Sequence, residues 1–397
     1  MTAKRIAIVL PELLPVPPVQ GGAVEHWVDE VTRRYPGTEA QITVFSRPAD
    51  AEGHAGVRYV GVPWTRTEQA AKRLRDRVGR RSPLNPLLKI QNVWGYGRRV
   101  VRQLADYDVV CIQNEPNLLA MLPRRDGQRV VIHMHNDHLL SRALRPVYAR
   151  ALAKADRVVC VSDYIRRRAT AVFPDMADRF SVLINGTDPE TFRPHTAGDA
   201  SGPAALLDPL AGKTVILYAG RLVEQKGVHI LLEAFRALAL ADPSATLVIA
   251  GSSFFGGAAV TDYQRMLAER AAAIGDRIVF TGFVPHDTLK HLYARADLVV
   301  LPSTWDEPCS LTVIEAMASG SALVTTRVGG NPELVRDDAG VLVPPNDAAA
   351  LLEAMQGLIG SPERRAALSA AARRRVLDHL NWDRVAREFA QELEGPA

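Results

Sequence analysis

Short runs that are apolar at every position, separated by stretches of helical periodicity, recur twice along this chain, and that alternation constrains the fold more than any other feature. RIAIVLPE (5–12), QITVFS, VRYVGVP, DVVCIQ (108–113), RVVIHMH (129–135), RVVCVS and SVLING form a first series, interrupted by AVEHWVDEVTRRY and by Arg142 to Lys154. TVILYAG (214–220), ATLVIAG, RIVFTG, DLVVLPS and ALVTT form a second, interrupted by HILLEAFRALAL, YQRMLAERAAAI, TLKHLYARA and AAALLEAMQGLI. A strand that is apolar throughout has both faces covered, and alternation with helices makes its sheet mostly parallel. The expectation is an α/β protein with two Rossmann-like domains, similar in architecture although not in letters. HTAGDASGPAALLDPLAGK (195–213) has no apolar period and reads as the connection. The expected division is 1–194, a linker at 195–212, 213–375, and a terminal helical segment at 376–397.

A chain of 397 residues, 47% hydrophobic, buries ample core for two such domains. Its three cysteines, Cys111, Cys160 and Cys309, are odd in number and two lie in strand-like runs, so reduced thiols and no structural zinc are expected. The apolar run at the start stops at Pro11, too short for a signal core or a membrane span, which points to a cytoplasmic protein. Net charge is only +4, yet Arg66, Lys72, Arg73, Arg75, Arg77, Arg80, Arg81, Lys89, Arg98, Arg99 and Arg102 crowd one stretch against Glu68 and Asp76. With Trp94 and Tyr96 nearby, that stretch suits peripheral contact with an anionic membrane at its inner face; a solvated helical face is the blander alternative.

WDEPCSLTVIEAMASG (305–320) carries the sharpest chemistry. Ser310 is placed to cap a helix bearing Leu311, Ile314 and Met317 on one face, with Gly320 at its end. Glu307 then stands in the preceding loop and Glu315 on the helix, and the amides of Leu311, Thr312 and Val313 form a seat for phosphate oxygens between them. The alternative leaves Glu307 as a cap and Glu315 as a solvated charge. YAGRLVEQKG sets Arg221 and Lys226 on a loop bounded by Gly220 and Gly227 after a strand, well placed to neutralise a diphosphate. GSSFFGG (251–257) and VGGNPELV (328–335) also follow strands. In the first half, Gly21 and Gly22 lie between strand and helix, where backbone approaches a ligand closely. His133, His135, Asn136, Asp137 and His138 cluster at a strand end. No metal-ligand spacing is evident there, and His135 is the expected hydrogen-bonding or electrostatic group.

Taken together, the GG pair, NGTDPETFRP (185–194), YAGRLVEQKG, TGFVPHDTLKHLYARADLVVLPS, the E-x7-E pattern and GGNPELV resemble the retaining glycosyltransferases of family 4, and the resemblance covers nearly the whole chain. It implies the GT-B fold, two Rossmann-like domains facing each other across a cleft, and transfer of a hexosyl unit from a nucleoside-diphosphate sugar to a saccharide or lipid-linked glycan. UDP-sugars are favoured by family frequency and GDP-sugars come next. The resemblance implies that Arg221 and Lys226 contact the donor diphosphate, Glu307 the transferred sugar and Glu315 the ribose. Gly22 matches the loop glycine near phosphate and acceptor, His135 the histidine near the sugar, and the Trp382 to Glu394 helix the terminal segment returning to the first domain. No cofactor and no metal are implied, since cations and a helix N-terminus do that work. The family often has Phe-Gly where this chain has Cys309 and Ser310, which leaves less room beside the donor sugar.

Retention without a clear carboxylate nucleophile implies same-face attack, with the leaving phosphate helping to deprotonate the acceptor. Three alternatives compete: a nucleotide-sugar epimerase or hydrolase on the same fold, a catalytically silent glycan-binding coat or surface protein, and a nucleic-acid binder. The last has no recognised module behind it, and no nucleic acid partner is expected.

Overall fold

The computed structural model describes residues 3–19, 22–36, 40–78, 85–194, 202–252, 260–336 and 338–395, with the backbone alone at 76, 78 and 85–92. Gly21, Arg80, Arg81, the side chain of Lys89, positions 253–257 of the GSSFFGG loop and 195–201 of the expected linker lie outside these. The chain divides into two compact units, one of 1–184 with 382–397 and one of 185–381.

The first unit contains β1 (Arg5–Val9), β2 (Gln41–Ser46), β3 (Val57–Gly61), β4 (Val109–Gln113), β5 (Arg129–Met134), β6 (Arg157–Cys160) and β7 (Phe180–Val182). They form one sheet in the order β3-β2-β1-β4-β5-β6-β7, every pair parallel. In β4 every residue is buried, as the uninterrupted apolar run requires of a central strand. Ala7, Val9, Tyr96, Leu118, Ile132 and Leu152 belong to the core on this sheet. The Trp382–Glu394 helix belongs to the same unit: Phe389 meets the Trp27 ring edge-on at 4.8 Å, and Arg157 pairs with Glu392 at 3.0 Å.

The second unit contains β8 (Thr214–Ala219), β9 (Ala245–Ala250), β10 (Ile278–Gly282), β11 (Leu298–Leu301), β12 (Ala322–Thr326) and β13 (Val341–Val343), again all parallel, in the order β10-β9-β8-β11-β12-β13. In both sheets the order reverses beside the first strand, between β1 and β4 and between β8 and β11. Such a switch point opens a crevice at the carboxyl ends of the two strands, because their following connections leave in opposite directions.

The division differs from the expected one at three places. It falls after Ile184 rather than Pro194, because NGTDPETFRP is held by contacts distant in sequence: Thr187 N–H donates to Leu380 O at 2.9 Å, and Arg373 donates to Pro189 O and Phe192 O at 2.8 Å each. The expected linker includes two short helices, Ala204–Leu207 and Asp208–Leu210, in the second unit. Finally, the second unit continues to Asn381 rather than 375, since the Pro362–His379 helix runs through that point with Val376 buried.

Candidate active site

The second unit's switch point gathers the motif residues. After β8 the chain passes Gly220 and Arg221 into a single 3-10 turn, Glu224–Lys226, and Gly227 starts the Val228–Ala241 helix. After β11 it passes Pro302 and Ser303 to Glu307 and then into the Leu311–Ala318 helix. Thr304 N–H donates to Gln225 O at 2.8 Å, which ties the two loops together. The Thr326 hydroxyl donates to Ser303 O at 2.6 Å and anchors the second loop on β12.

Lys226 Nζ lies 2.5 Å from Glu307 Oε1, and the Ser303 hydroxyl donates to the same oxygen at 2.6 Å. Glu307 is 5% exposed, so its charge is compensated by these two donors rather than by water. The loop holding it is tight: Gly330 N–H donates to Glu307 O at 2.7 Å, and a Cβ at Gly329 would collide with the backbone oxygen and nitrogen of Glu307. Arg221 is exposed, and its carbonyl accepts the Tyr218 hydroxyl at 2.8 Å; its guanidinium has no partner among the described residues. Burial, with the Glu307 charge nearby, pushes the Tyr218 phenol well above its ordinary range, so it stays a donor.

Glu315, also 5% exposed, is not the solvated charge of the bland alternative. His286 Nε2 is 2.8 Å from its Oε1, and the Tyr293 hydroxyl donates to its Oε2 at 3.2 Å. Between the carboxylates lies the amino end of the Leu311–Ala318 helix. Ser310 stands at the N-cap, yet its hydroxyl meets the Thr312 hydroxyl at 3.0 Å and makes no cap bond. The Ser310 side chain therefore leaves the first amides of that helix uncapped, in the position where a helix N-terminus accepts an anion.

In the first unit, Gly22 (φ 111°) is the N-cap residue of the Ala23–Arg33 helix. It follows β1, while Asn114 follows β4 and His135 follows β5, one residue beyond the strand's last hydrogen-bonded position. His135 Nε2 is 2.8 Å from Gln113 Oε1, and its backbone N–H donates to Asn114 Oδ1 at 3.0 Å. Burial pulls the His135 imidazole down to about 3, so it acts as a neutral hydrogen-bonding group and not as a charge. His133, fully buried 4.1 Å from the His135 ring and packed against Trp27, likewise is held neutral by burial, and packs as core. Among the described residues no group of His, Cys, Asp or Glu is arranged to hold a metal ion.

Sequence reasoning missed Ser303, His286 and Tyr293, and in the first unit Gln113 and Asn114. Ser303 acts on Glu307 four residues on, but the other four act on residues more than twenty positions away, and only Asn114, at φ 53°, bears a conformational mark. The basic stretch also reads differently. Trp94 is 50% exposed with Arg98 5.6 Å from its ring, but Tyr96 is fully buried, donating to Phe45 O at 3.1 Å, and is no surface anchor. Arg99 is turned to Glu68 at 2.8 Å, a bond that fixes the Arg66–Val78 helix.

Family models match both halves: Glycosyltransferase Family 4 over residues 21–191 and Glycosyl transferases group 1 over 208–375. A GDP-mannose-dependent alpha-(1-6)-phosphatidylinositol monomannoside mannosyltransferase of Mycolicibacterium smegmatis is 31% identical, across 70% of this chain and 73% of its own. The chain belongs to glycosyltransferase family 4. This family 4 glycosyltransferase is also 27% identical to the spore coat protein SA of Bacillus subtilis, over 98% of this chain and 99% of that one. The crystal structure of Anabaena Alr3699/HepE in complex with UDP-glucose superposes with a TM-score of 0.73 at 21% identity, covering 98% of this chain and 99% of that one, and the fold is GT-B.

Proposed function

We propose that this glycosyltransferase moves a hexosyl unit from a nucleoside-diphosphate sugar, UDP-linked in first place and GDP-linked in second, to a hydroxyl of a saccharide or lipid-linked glycan, with retention and without a metal. The observation that carries this reading is the pairing of Lys226 with Glu307 beside an uncapped helix N-terminus that has Glu315 on its far side. A nucleotide sugar has complementary groups in the same sequence: sugar hydroxyls for Glu307, a diphosphate for Lys226, Arg221 and the amides of Leu311 and Thr312, and a ribose for Glu315. As the anomeric C–O bond breaks, negative charge grows on the leaving phosphate, and Lys226 with Arg221 stabilises it. The acceptor oxygen bonds to the anomeric carbon from the same face, and its proton passes to the departing phosphate oxygen. His135, held neutral, is assigned to hydrogen-bonding the sugar, and Gly22 to close approach of backbone.

Calorimetric titration with UDP, GDP and ADP, first without metal and then with Mg²⁺, tests this directly. Clear binding of one nucleotide with little gain from Mg²⁺ is expected. The relatives' names include both a UDP-glucose complex and a GDP-mannose-dependent enzyme, so the preferred base is an outcome of the measurement. Binding of none would favour the silent coat-protein alternative, in line with the name of the Bacillus relative.

The acceptor side of the proposal places the protein at an anionic membrane. Arg66, Lys72, Arg73 and Arg77 are exposed on one helix, and Trp94 beside Arg98 is exposed on the next. Among the described residues no helix is long and apolar enough to cross a membrane, so contact would be peripheral. With each cation near such a surface worth about 1 kcal/mol, Arg73→Glu with Arg77→Glu should weaken sedimentation with vesicles of about one-third phosphatidylglycerol more than tenfold. Binding indifferent to the substitutions and to salt would sink the membrane assignment.

A further inference from the structure

We propose that His286 is a positioning residue that sets the orientation of the Glu315 carboxylate for the nucleotide ribose; the inference rests on the ribose role given to Glu315 above. A carboxylate on a helix can rotate about its last bond, and each orientation offers different lone pairs to a ligand. Here both oxygens are engaged from one neighbouring helix, His286–Arg295. Its first residue, His286, meets Oε1 at 2.8 Å, and Tyr293, two turns on, donates to Oε2 at 3.2 Å. Two bonds to two oxygens from one rigid element fix the carboxylate plane, whereas one bond would leave it able to swivel.

The imidazole is itself held. Phe192, fully buried, packs edge-on against His286 with centroids 4.9 Å apart and against Tyr293 at 5.8 Å. Phe192 comes from NGTDPETFRP, the segment that joins the second unit instead of the first. That segment thereby gains a purpose beyond connection, because it buttresses the rings that orient Glu315. The His286 side chain remains 47% exposed while the Glu315 side chain is 6% exposed, so the imidazole stands at the rim over a nearly buried acceptor. A carboxylate oxygen has two lone pairs, so one bond to each still permits both to accept from a vicinal diol. Tyr293 stays protonated, since burial and the Glu315 charge push its phenol far up, and it donates at every working pH.

The prediction concerns discrimination between a ribose and one lacking a hydroxyl, a property that a purely structural histidine would not affect. Calorimetry is performed with UDP and 2′-deoxy-UDP, or with GDP and 2′-deoxy-GDP if the first titration selects guanine, on wild type, His286→Phe, His286→Gln and Glu315→Ala. Wild type should favour the ribonucleotide about tenfold, the range of one hydrogen bond to a charged acceptor. His286→Phe should reduce that preference to about threefold or less with 2′-deoxy-UDP binding little changed, and His286→Gln, which keeps a donor, should recover part of it. A wild-type preference retained in His286→Phe would overturn the inference and leave the Glu315 assignment intact. Equal weakening of both nucleotides would also overturn it, as the mark of a merely structural role. A wild type without preference, with Glu315→Ala binding both nucleotides as wild type does, would overturn the ribose role of Glu315 and the inference with it.

Discussion

Replacing Lys226 with alanine is expected to lower kcat about a hundredfold or more while KM for the donor changes far less. The ammonium is 2.5 Å from a carboxylate that is nearly buried, so it sits in a low-dielectric site where one charge has a large effect on a developing charge. In the structure Lys226 and Glu307 compensate each other. In the proposed complex the donor supplies a partner for each, diphosphate for one and sugar hydroxyls for the other, and the demand on Lys226 rises only as the phosphate departs. An interaction that strengthens in the transition state shows in kcat, whereas uniform binding would show in KM.

The substitution also leaves Ser303, at 2.6 Å, as the one side-chain donor to the Glu307 carboxylate among the described residues, so stability must be followed alongside rate. Lys226→Arg keeps the charge but not the compact geometry and should recover only part of the rate. Steady-state kinetics with thermal melting on the same preparations separates the effects. Near wild-type turnover in Lys226→Ala would remove Lys226 from the mechanism.

How much of this was visible in the letters depends on how local the cause was. Strands such as DVVCIQ and DLVVLPS were legible because full burial writes itself as an unbroken apolar run, and the two parallel sheets follow from their alternation with helices. Glu307 in a loop and Glu315 on the next helix were legible because Ser310, the Leu311, Ile314, Met317 spacing and Gly320 mark a helix and its ends. By contrast, the boundary at Ile184 was not, since Asn185 to Pro194 has no period of its own and belongs to the second unit through Thr187, Phe192 and distant partners. Trp94 and Tyr96 look alike in sequence, but two positions on a helix differ by about 200° in direction, so one is exposed and the other buried. His286 gave no signal at all: a histidine after a proline in GFVPHDTL becomes informative only when the Glu315 oxygen is seen beside it.

Gly329→Ala should disrupt both the fold and the site, and Gly212→Ala supplies its control. Both glycines hold left-handed backbone, φ 53° and φ 69°, in the same unit. A Cβ at Gly212 meets nothing within 4 Å, so that variant bears only the conformational penalty, about 1 kcal/mol. A Cβ at Gly329 would press into the backbone of Asp306 and Glu307, atoms that cannot swing aside as a flexible side chain does. Either the turn changes conformation, losing the 2.7 Å bond from Gly330 N–H to Glu307 O, or the Glu307 loop moves. The expected cost is roughly 2–4 kcal/mol, a fall in Tm of about 5–15 °C for a unit of this size. Turnover should also fall at temperatures where the variant is fully folded, because displacing a reacting group by about 1 Å costs on the order of a hundredfold. Melting curves and kinetics for the two variants decide it. If Gly329→Ala matched Gly212→Ala in both, the close approach of the 328–335 loop to Glu307 would have no part in holding that carboxylate.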